Sequence, residues 1–136
     1  MRVFWTTLLA LAATPGVAFC QSGVRESETR VKAEAGKDTR LMVVYNLRPN
    51  CTPGPLNMPR VATEPAHGRV QVRRASLKTN VGGRCPPLEI PVLLVLYRAA
   101  AAFDGEDSVR LELQQEGGTV LTRIFRIVVR SSNNSI

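Results

Sequence analysis

The stretch VRLELQQEGGTVLTRIFRIVV, residues 109–129, decides the fold class of this chain. Its first part places an apolar side chain at every second position from Val109 to Leu113, with charged residues between them. A turn sequence, Glu-Gly-Gly at 116–118, follows, and Thr119 to Val129 returns with a second strand pattern. Two such runs joined by a Gly-Gly turn predict a β-hairpin.

Similar short patterns recur upstream and are separated by turn residues. A nearly unbroken apolar run, Leu41 to Leu47, predicts a central strand covered on both faces. The turn at Pro65 to Gly68 predicts that the strands on either side of it form a hairpin. No helical pattern is present after residue 20, so we expect an all-β, antiparallel β-sandwich of about seven strands over residues 29–130. The five upstream strands are predicted at Thr29–Ala35, Leu41–Leu47, Arg60–Thr63, Arg69–Arg74 and Val92–Tyr97.

The two ends of the chain differ from this domain. Residues 1–20 combine Arg2, an apolar stretch and a Pro-Gly break before small residues, which predicts a signal peptide and a periplasmic or secreted protein. No later segment is long and apolar enough to predict a transmembrane helix. Residues 21–28 are predicted to be a flexible arm, and residues 131–136 a disordered tail.

Three cysteines limit where the signal is removed. Cleavage after Ala18 leaves Cys20 unpaired, whereas cleavage after Cys20 leaves the even pair Cys51 and Cys85. A lipid on Cys20 is a third alternative, although Phe19 is not the small residue that such a site requires. In an oxidising compartment, Cys51 and Cys85 are predicted to form a disulfide.

The basic charge leaves two interpretations open, a solvated strand face, which the absence of aromatic residues beside the arginines favours, and a surface for an acidic partner. The 136 residues carry 18 basic and 11 acidic side chains, a net charge of +7 that becomes +6 when Arg2 is removed with the signal. Nucleic acid is not expected outside the cytosol, which leaves acidic polysaccharide or lipid headgroups for an anion-binding module. Its candidate residues lie on two strands: Arg69, Arg73, Arg74, Arg123 and Arg126.

Two motifs resemble the signatures of bacterial immunoglobulin-like and cadherin-like domains. The segment YRAAAAFDGEDSV, residues 97–109, is similar to the pattern Y-x-P…F-x-G-x-D-x-F/V, and EPAHGRV, residues 64–70, is similar to P-x-x-G-x-V. Ala99 replaces the usual proline, and the cysteine pair is not part of the general pattern. The resemblance implies an immunoglobulin-like sandwich that serves as a structural or adhesive module of the bacterial cell envelope.

Architectural roles are expected for the motif residues, which are Pro65, Gly68, Tyr97, Phe103, Gly105 and Asp107. Tyr97 is predicted to bury its ring and cap loop backbone with its hydroxyl, Phe103 to fill the core, and Gly105 to adopt a turn conformation. Asp104, Glu106 and Asp107 leave a calcium site open as an alternative to a solvated loop.

No catalytic set stands out in the sequence. The single histidine, His67, lies in a turn without an evident partner, and the cysteines are expected to be oxidised. We therefore predict a non-catalytic interaction or structural domain with no cofactor or metal, whose partner is an envelope protein or an anionic glycan.

Overall fold

The computed structural model describes residues 25–80 and 83–132, together with Gly16. The predicted signal at 1–20 otherwise lies outside these residues, as do positions 21–24 of the predicted arm and 133–136 of the predicted tail. Within the described ranges the chain forms seven β-strands and no α-helix. The strands are β1 (Arg25–Glu34), β2 (Asp38–Val44), β3 (Arg60–Thr63), β4 (Gly68–Thr79), β5 (Leu88–Ala99), β6 (Gly105–Gln114) and β7 (Val120–Arg130).

These strands form two sheets that share one core. The four-stranded sheet has the order β1-β7-β6-β3, and the three-stranded sheet has the order β2-β5-β4. Apolar residues of both sheets meet in a single cluster, as in a β-sandwich, which confirms the predicted all-β class. The buried members of this cluster are Ala33, Ala35, Val95, Tyr97, Ala99, Val109, Leu111, Leu113, Phe125, Ile127 and Val129.

The C-terminal hairpin is confirmed. β6 and β7 pair antiparallel over their whole length, with Val109 opposite Phe125. Gly117 and Gly118 have φ values of 96° and 89°, a backbone region that L side chains rarely adopt. The Gly-Gly turn therefore sets both the reversal and the register of this hairpin.

The second predicted hairpin is wrong. β3 pairs with β6 in the four-stranded sheet, whereas β4 pairs with β5 in the other sheet. The turn at Pro65 to Gly68 does reverse the chain, but it carries the chain from one sheet to the other. A turn motif specifies a change of direction and leaves open which strand becomes the partner.

The central position in the three-stranded sheet belongs to β5, so the prediction of a central Leu41–Leu47 strand is also wrong. β2 ends at Val44, lies at the sheet edge, and has a bulge between Arg40 and Met42. Met42 and Val44 still pack against the core. At the bulge two consecutive residues, Leu41 and Met42, pack against the core, which explains why the apolar run is nearly unbroken.

β1 begins four residues before the predicted start at Thr29 and pairs parallel to β7 from Arg25 onwards. The sandwich is therefore antiparallel in every pairing except this one. Residues 25–28 are polar and belonged to the predicted arm, but an edge strand needs only backbone partners on one side. A prediction based only on the alternation of apolar and polar side chains therefore makes such a strand too short.

Candidate functional site

A hydrogen-bond cluster around Asp107 joins three parts of the chain. The Tyr97 hydroxyl donates to Asp107 Oδ2 at 2.7 Å, and the backbone N–H of His67 donates to the same oxygen at 3.0 Å. The backbone N–H groups of Ala66 and Ser108 donate to Oδ1 at 2.9 and 2.8 Å. Asp107 thus fixes the turn between the sheets to β5 and β6, the strands that carry Tyr97 and Asp107.

The electrostatics of the cluster favour an ionised Asp107 beside a neutral Tyr97. Burial is the largest single influence on Asp107 and acts to raise its pKa, but the hydrogen bonds from Tyr97, Ser108, His67 and Ala66 together hold the pKa below its usual value. Burial, followed by the bond to Asp107 and its negative charge, raises the pKa of Tyr97. The pair therefore stays in one protonation state over the neutral range.

The predicted role of Tyr97 is divided between two residues. Its ring is fully buried in the core, as expected. The loop backbone, however, is capped by the Asp107 carboxylate, to which the Tyr97 hydroxyl donates. The register of β5 and β6 within two different sheets creates this link, and no local pattern shows it.

The remaining motif residues, Pro65, Gly68, Phe103 and Gly105, lie around the same hydrogen-bond cluster. A Cβ on Gly68 would lie 2.6 Å from the Arg98 carbonyl oxygen and from the Tyr97 ring, so only glycine fits there. Phe103 packs against the core and stacks on the His67 ring at 4.1 Å between centroids. Gly105 has a φ of 150° with Phe103 beside it, and Pro65 is buried.

The acidic residues after Phe103 are directed to different places. Asp107 accepts the four hydrogen bonds described above, while Asp104 accepts a hydrogen bond from the Ser131 backbone N–H at 3.1 Å. Glu106 lies opposite Val128, a position on the outer face of the four-stranded sheet. In the described part of the chain, no three His, Cys, Asp or Glu residues are grouped to hold a metal ion.

The disulfide is present between Cys51 and Cys85, whose Cα atoms are 5.6 Å apart. It ties the irregular segment between β2 and β3 to the β4–β5 connection. Arg48 and Asn46 in that segment also contact Glu116 at the β6–β7 turn, at 2.9 and 3.0 Å. The irregular segment is therefore anchored to both sheets.

The five candidate arginines do not form one face. Arg69, Arg73 and Arg74 lie on β4 in the three-stranded sheet, whereas Arg123 and Arg126 lie on β7 in the other sheet. Arg126 is 3.4 Å from the Glu28 carboxylate, and Arg123 donates to the Ser27 hydroxyl at 2.6 Å. The largest group on one strand is therefore that of Arg69, Arg73 and Arg74 on β4.

The structure adds two arginines to those of β4. Val70 and Val72 pack against the core, so Arg69 and Arg73 point to the outer face of their sheet. Arg40 and Arg98 lie on that same face, because Asp38 pairs with Arg98 and Arg40 pairs with Leu96 in the β2–β5 register. We define the basic face as this outer surface with Arg40, Arg69, Arg73 and Arg98.

One carboxylate opposes four arginines on the basic face. Arg98 Nε lies 2.7 Å from Asp38 Oδ1, and Arg73 Nη2 lies 3.5 Å from Asp38 Oδ2. Arg40 and Arg69 form no ion pair with any residue in the ranges 25–80 and 83–132. Half-buried Leu94 and Leu96 lie between them on β5. The face therefore combines the apolar side chains of Leu94 and Leu96 with arginines on all three strands, which suits an acidic partner.

The outer face of the four-stranded sheet is different in kind. Its strands carry both signs of charge, and the pairs Arg110–Glu26 and Arg60–Glu112 lie at 2.7 and 2.6 Å. Its positive charge is largely neutralised within the sheet. The two faces cannot be distinguished from the sequence, because Arg40 and Arg98 come together only through strand pairing.

Comparison with family models, curated proteins and solved structures finds no match to this chain.

Proposed function

We propose that this chain is a non-catalytic, immunoglobulin-like interaction domain of the bacterial cell envelope, and that it binds an acidic partner protein through its basic face. The observation that carries the proposal is the excess of arginine over carboxylate on that face. Arg40 and Arg69, which lack carboxylate partners among the described residues, supply the charge left for a ligand. Such complementarity steers association and selects acidic partners.

Strand order supports the immunoglobulin-like part of the proposal. With strands lettered A to G along the chain, β2-β5-β4 corresponds to B-E-D and β7-β6-β3 to G-F-C. A constant-type immunoglobulin domain groups B, E and D in one sheet and C, F and G in the other, so this order supports the proposal, while the first strand differs in lying beside the last. The corner formed by Pro65, Gly68, Tyr97, Phe103 and Asp107 gives a physical role to the residues on which the resemblance rests.

Export is supported by the signal pattern in residues 1–20 and by the Cys51–Cys85 disulfide, which persists in oxidising compartments. No helix in the described residues has the length and hydropathy of a membrane span. Intact-mass measurement of protein expressed with its leader tests this part. We expect a product lacking about the first 20 residues that gains about 2 Da on reduction. Retention of the leader, or two reactive thiols in native protein, would contradict it.

A non-catalytic role is supported by how the titratable groups are used. Asp107, the buried carboxylate, has both oxygens occupied by four donors, and Tyr97 is bound to it. His67 is stacked on Phe103. None of these groups is placed as a base or nucleophile beside a second reactive group.

A second candidate is an anion-binding module for acidic polysaccharide or lipid headgroups. The same unpaired arginines favour it, because a polyanion needs only accessible positive charge. The two candidates differ in what else the ligand must offer. A partner protein also contacts apolar side chains of the basic face such as Leu94 and Leu96, so its binding resists salt better than that of a polyanion.

The discriminating experiment compares three probes: an acidic peptide of alternating Glu and Thr, polygalacturonate, and vesicles containing phosphatidylglycerol. The test variant is Arg40→Glu with Arg69→Glu, and the matched control is Arg30→Glu with Arg130→Glu on the other sheet. We expect peptide binding to fall about tenfold or more in the test variant and to change little in the control. Binding of only the polysaccharide or vesicles, abolished by moderate salt, would establish the second candidate. Equal binding by both variants would refute the basic face.

A further inference from the structure

The free edge of β4 is the most open hydrogen-bonding surface of the three-stranded sheet. β4 is 12 residues long, ends the order β2-β5-β4, and pairs with β5 without a register shift. No hydrogen bond from elsewhere in the described chain reaches its outward backbone groups. Arg73, Arg74, Ser76, Leu77 and Lys78 are all exposed along it.

We propose that this edge binds an extended, acidic segment of the partner protein as an added β-strand. The inference rests on the proposed function and specifies how the partner binds. Strand addition to a sheet edge combines main-chain hydrogen bonds with side-chain contacts at alternate positions.

Register identifies which backbone groups are available. The Ala100 N–H donates to the His67 carbonyl at 2.9 Å, so His67 and Ala100 form a hydrogen-bonded pair. In an antiparallel ladder such pairs recur at every second residue, which makes Arg69–Arg98, Gln71–Leu96 and Arg73–Leu94 the next pairs of this kind. The N–H and C=O groups of the even-numbered residues, from Val70 to Lys78, therefore point away from β5.

Charge selects the sequence of the added strand. β4 carries Arg69, Arg73, Arg74 and Lys78 and no acidic residue. Arg69 and Arg73 lie on the basic face, whereas Arg74 and Lys78 lie on the opposite side of the strand. Acidic side chains of an added strand therefore meet a basic side chain on either surface. Neighbouring strands are about 4.8 Å apart, which brings opposite side chains into ion-pair range.

The same charge argues against a second copy of this chain as the occupant. If two β4 edges paired with each other, the four basic side chains of one strand would face the four of the other. Like charges across a strand pair are destabilising. The other long edge, β1, carries both Glu and Arg or Lys residues and lacks this bias. Bases along an edge prevent self-pairing and leave pairing with an acidic strand favourable.

The test uses the full exported protein and a blocked ten-residue peptide of alternating Glu and Thr. The same peptide N-methylated at its six central residues keeps every charge but lacks those donors. Ser76→Pro removes an outward N–H from β4, and Ser76→Ala is its control, because both variants lose the hydroxyl bond to Glu89. We expect N-methylation and Ser76→Pro each to weaken binding about tenfold or more, and Ser76→Ala to leave it unchanged. The peptide is further expected to slow hydrogen exchange at Val70, Val72 and Arg74.

Each contrary result has a distinct meaning. Equal binding of both peptides overturns strand addition while the basic face stands, and it does so on the unmodified protein even if Ser76→Pro fails to fold. Binding of polygalacturonate or vesicles without binding of the peptide overturns strand addition and establishes the second candidate function. Binding of none of the three probes overturns both this inference and the proposed function.

Discussion

Replacing Asp107 by Asn tests whether the cluster around Asp107 holds the two sheets in register. The carboxylate accepts four hydrogen bonds, two on each oxygen. An amide keeps one acceptor oxygen and presents an N–H₂ group in place of the other. With the N–H₂ at the Oδ1 position both bonds from backbone N–H groups are lost, and at the Oδ2 position the His67 bond is lost while the Tyr97 hydroxyl turns to accept. In either orientation the remaining bonds lose the carboxylate charge. Bonds to a charged group contribute about 1.5–3 kcal/mol each, and relief of carboxylate burial offsets part of the loss. We expect a net loss of about 3 kcal/mol in the free energy of unfolding.

The assay is urea unfolding at neutral pH followed by far-UV circular dichroism, because the single tryptophan, Trp5, lies in the predicted signal. Tyr97→Phe removes one donor and is expected to lose about 2 kcal/mol. The double variant is expected to lose at least 1 kcal/mol less than the sum, since both changes remove the charge-assisted bond between Tyr97 and Asp107. Glu112→Gln, which breaks an exposed ion pair with Arg60, is the control and is expected to lose less than about 1 kcal/mol.

Acid provides an independent check of the same reasoning. The pKa of Asp107 is lower in the folded protein than in the unfolded chain, so its contribution to stability is present above an unfolded value of about 3.9 and is lost as pH falls through the folded value. The stability difference between the unmodified protein and Asp107→Asn is therefore expected to shrink below about pH 4. An Asn variant as stable as the unmodified protein at pH 7, or a difference that does not change in acid, would refute the role assigned to the carboxylate.

Three further outcomes follow from the same structure. Reduction of the Cys51–Cys85 disulfide, which closes a separation of 34 residues, is expected to lower the free energy of unfolding by about 2–4 kcal/mol; unchanged urea midpoints with and without reductant would contradict this. Gly68→Ala places a methyl group against the Arg98 carbonyl and the Tyr97 ring and is expected to lose about 1–3 kcal/mol in the same assay, whereas a neutral effect would show that the turn relaxes easily. In alkali, the raised pKa of Tyr97 supplies stability below an unfolded value of about 10 that is lost as pH rises above it, so the unmodified protein is expected to lose more stability there than Tyr97→Phe.

Local patterns located every strand but misplaced some strand ends. The alternation from Val109 to Leu113 and the Gly-Gly turn specified the β6–β7 hairpin, because both signals act within a few residues. β4, in contrast, continues to Thr79, where alternation with charge fades. Polar residues at an edge extend a strand through backbone bonds alone, and hydrophobic periodicity does not detect those bonds.

Local patterns did not predict which strands pair with each other or which sheet each strand joins. The turn at Pro65 to Gly68 was recognised as a reversal, but its flanking strands belong to different sheets because Asp107 and the core position them there. The basic face illustrates the same limit for function. Arg69 and Arg73 were candidates from their own strand, whereas Arg40 and Arg98 join them only through pairing with distant segments.

By itself, the sequence determined the all-β class, the number of strands, the C-terminal hairpin and the pairing of the two later cysteines. The first three depend on interactions between near neighbours in the chain. The cysteine pairing follows because Cys51 and Cys85 are the two cysteines outside the predicted signal. Tertiary structure alone decided the division into two sheets, the parallel pairing of β1 with β7, the carboxylate that caps the turn between the sheets, and the surface on which unpaired arginines collect. These features depend on contacts between residues far apart in the chain, and side-chain periodicity carries no information about which distant strands become neighbours.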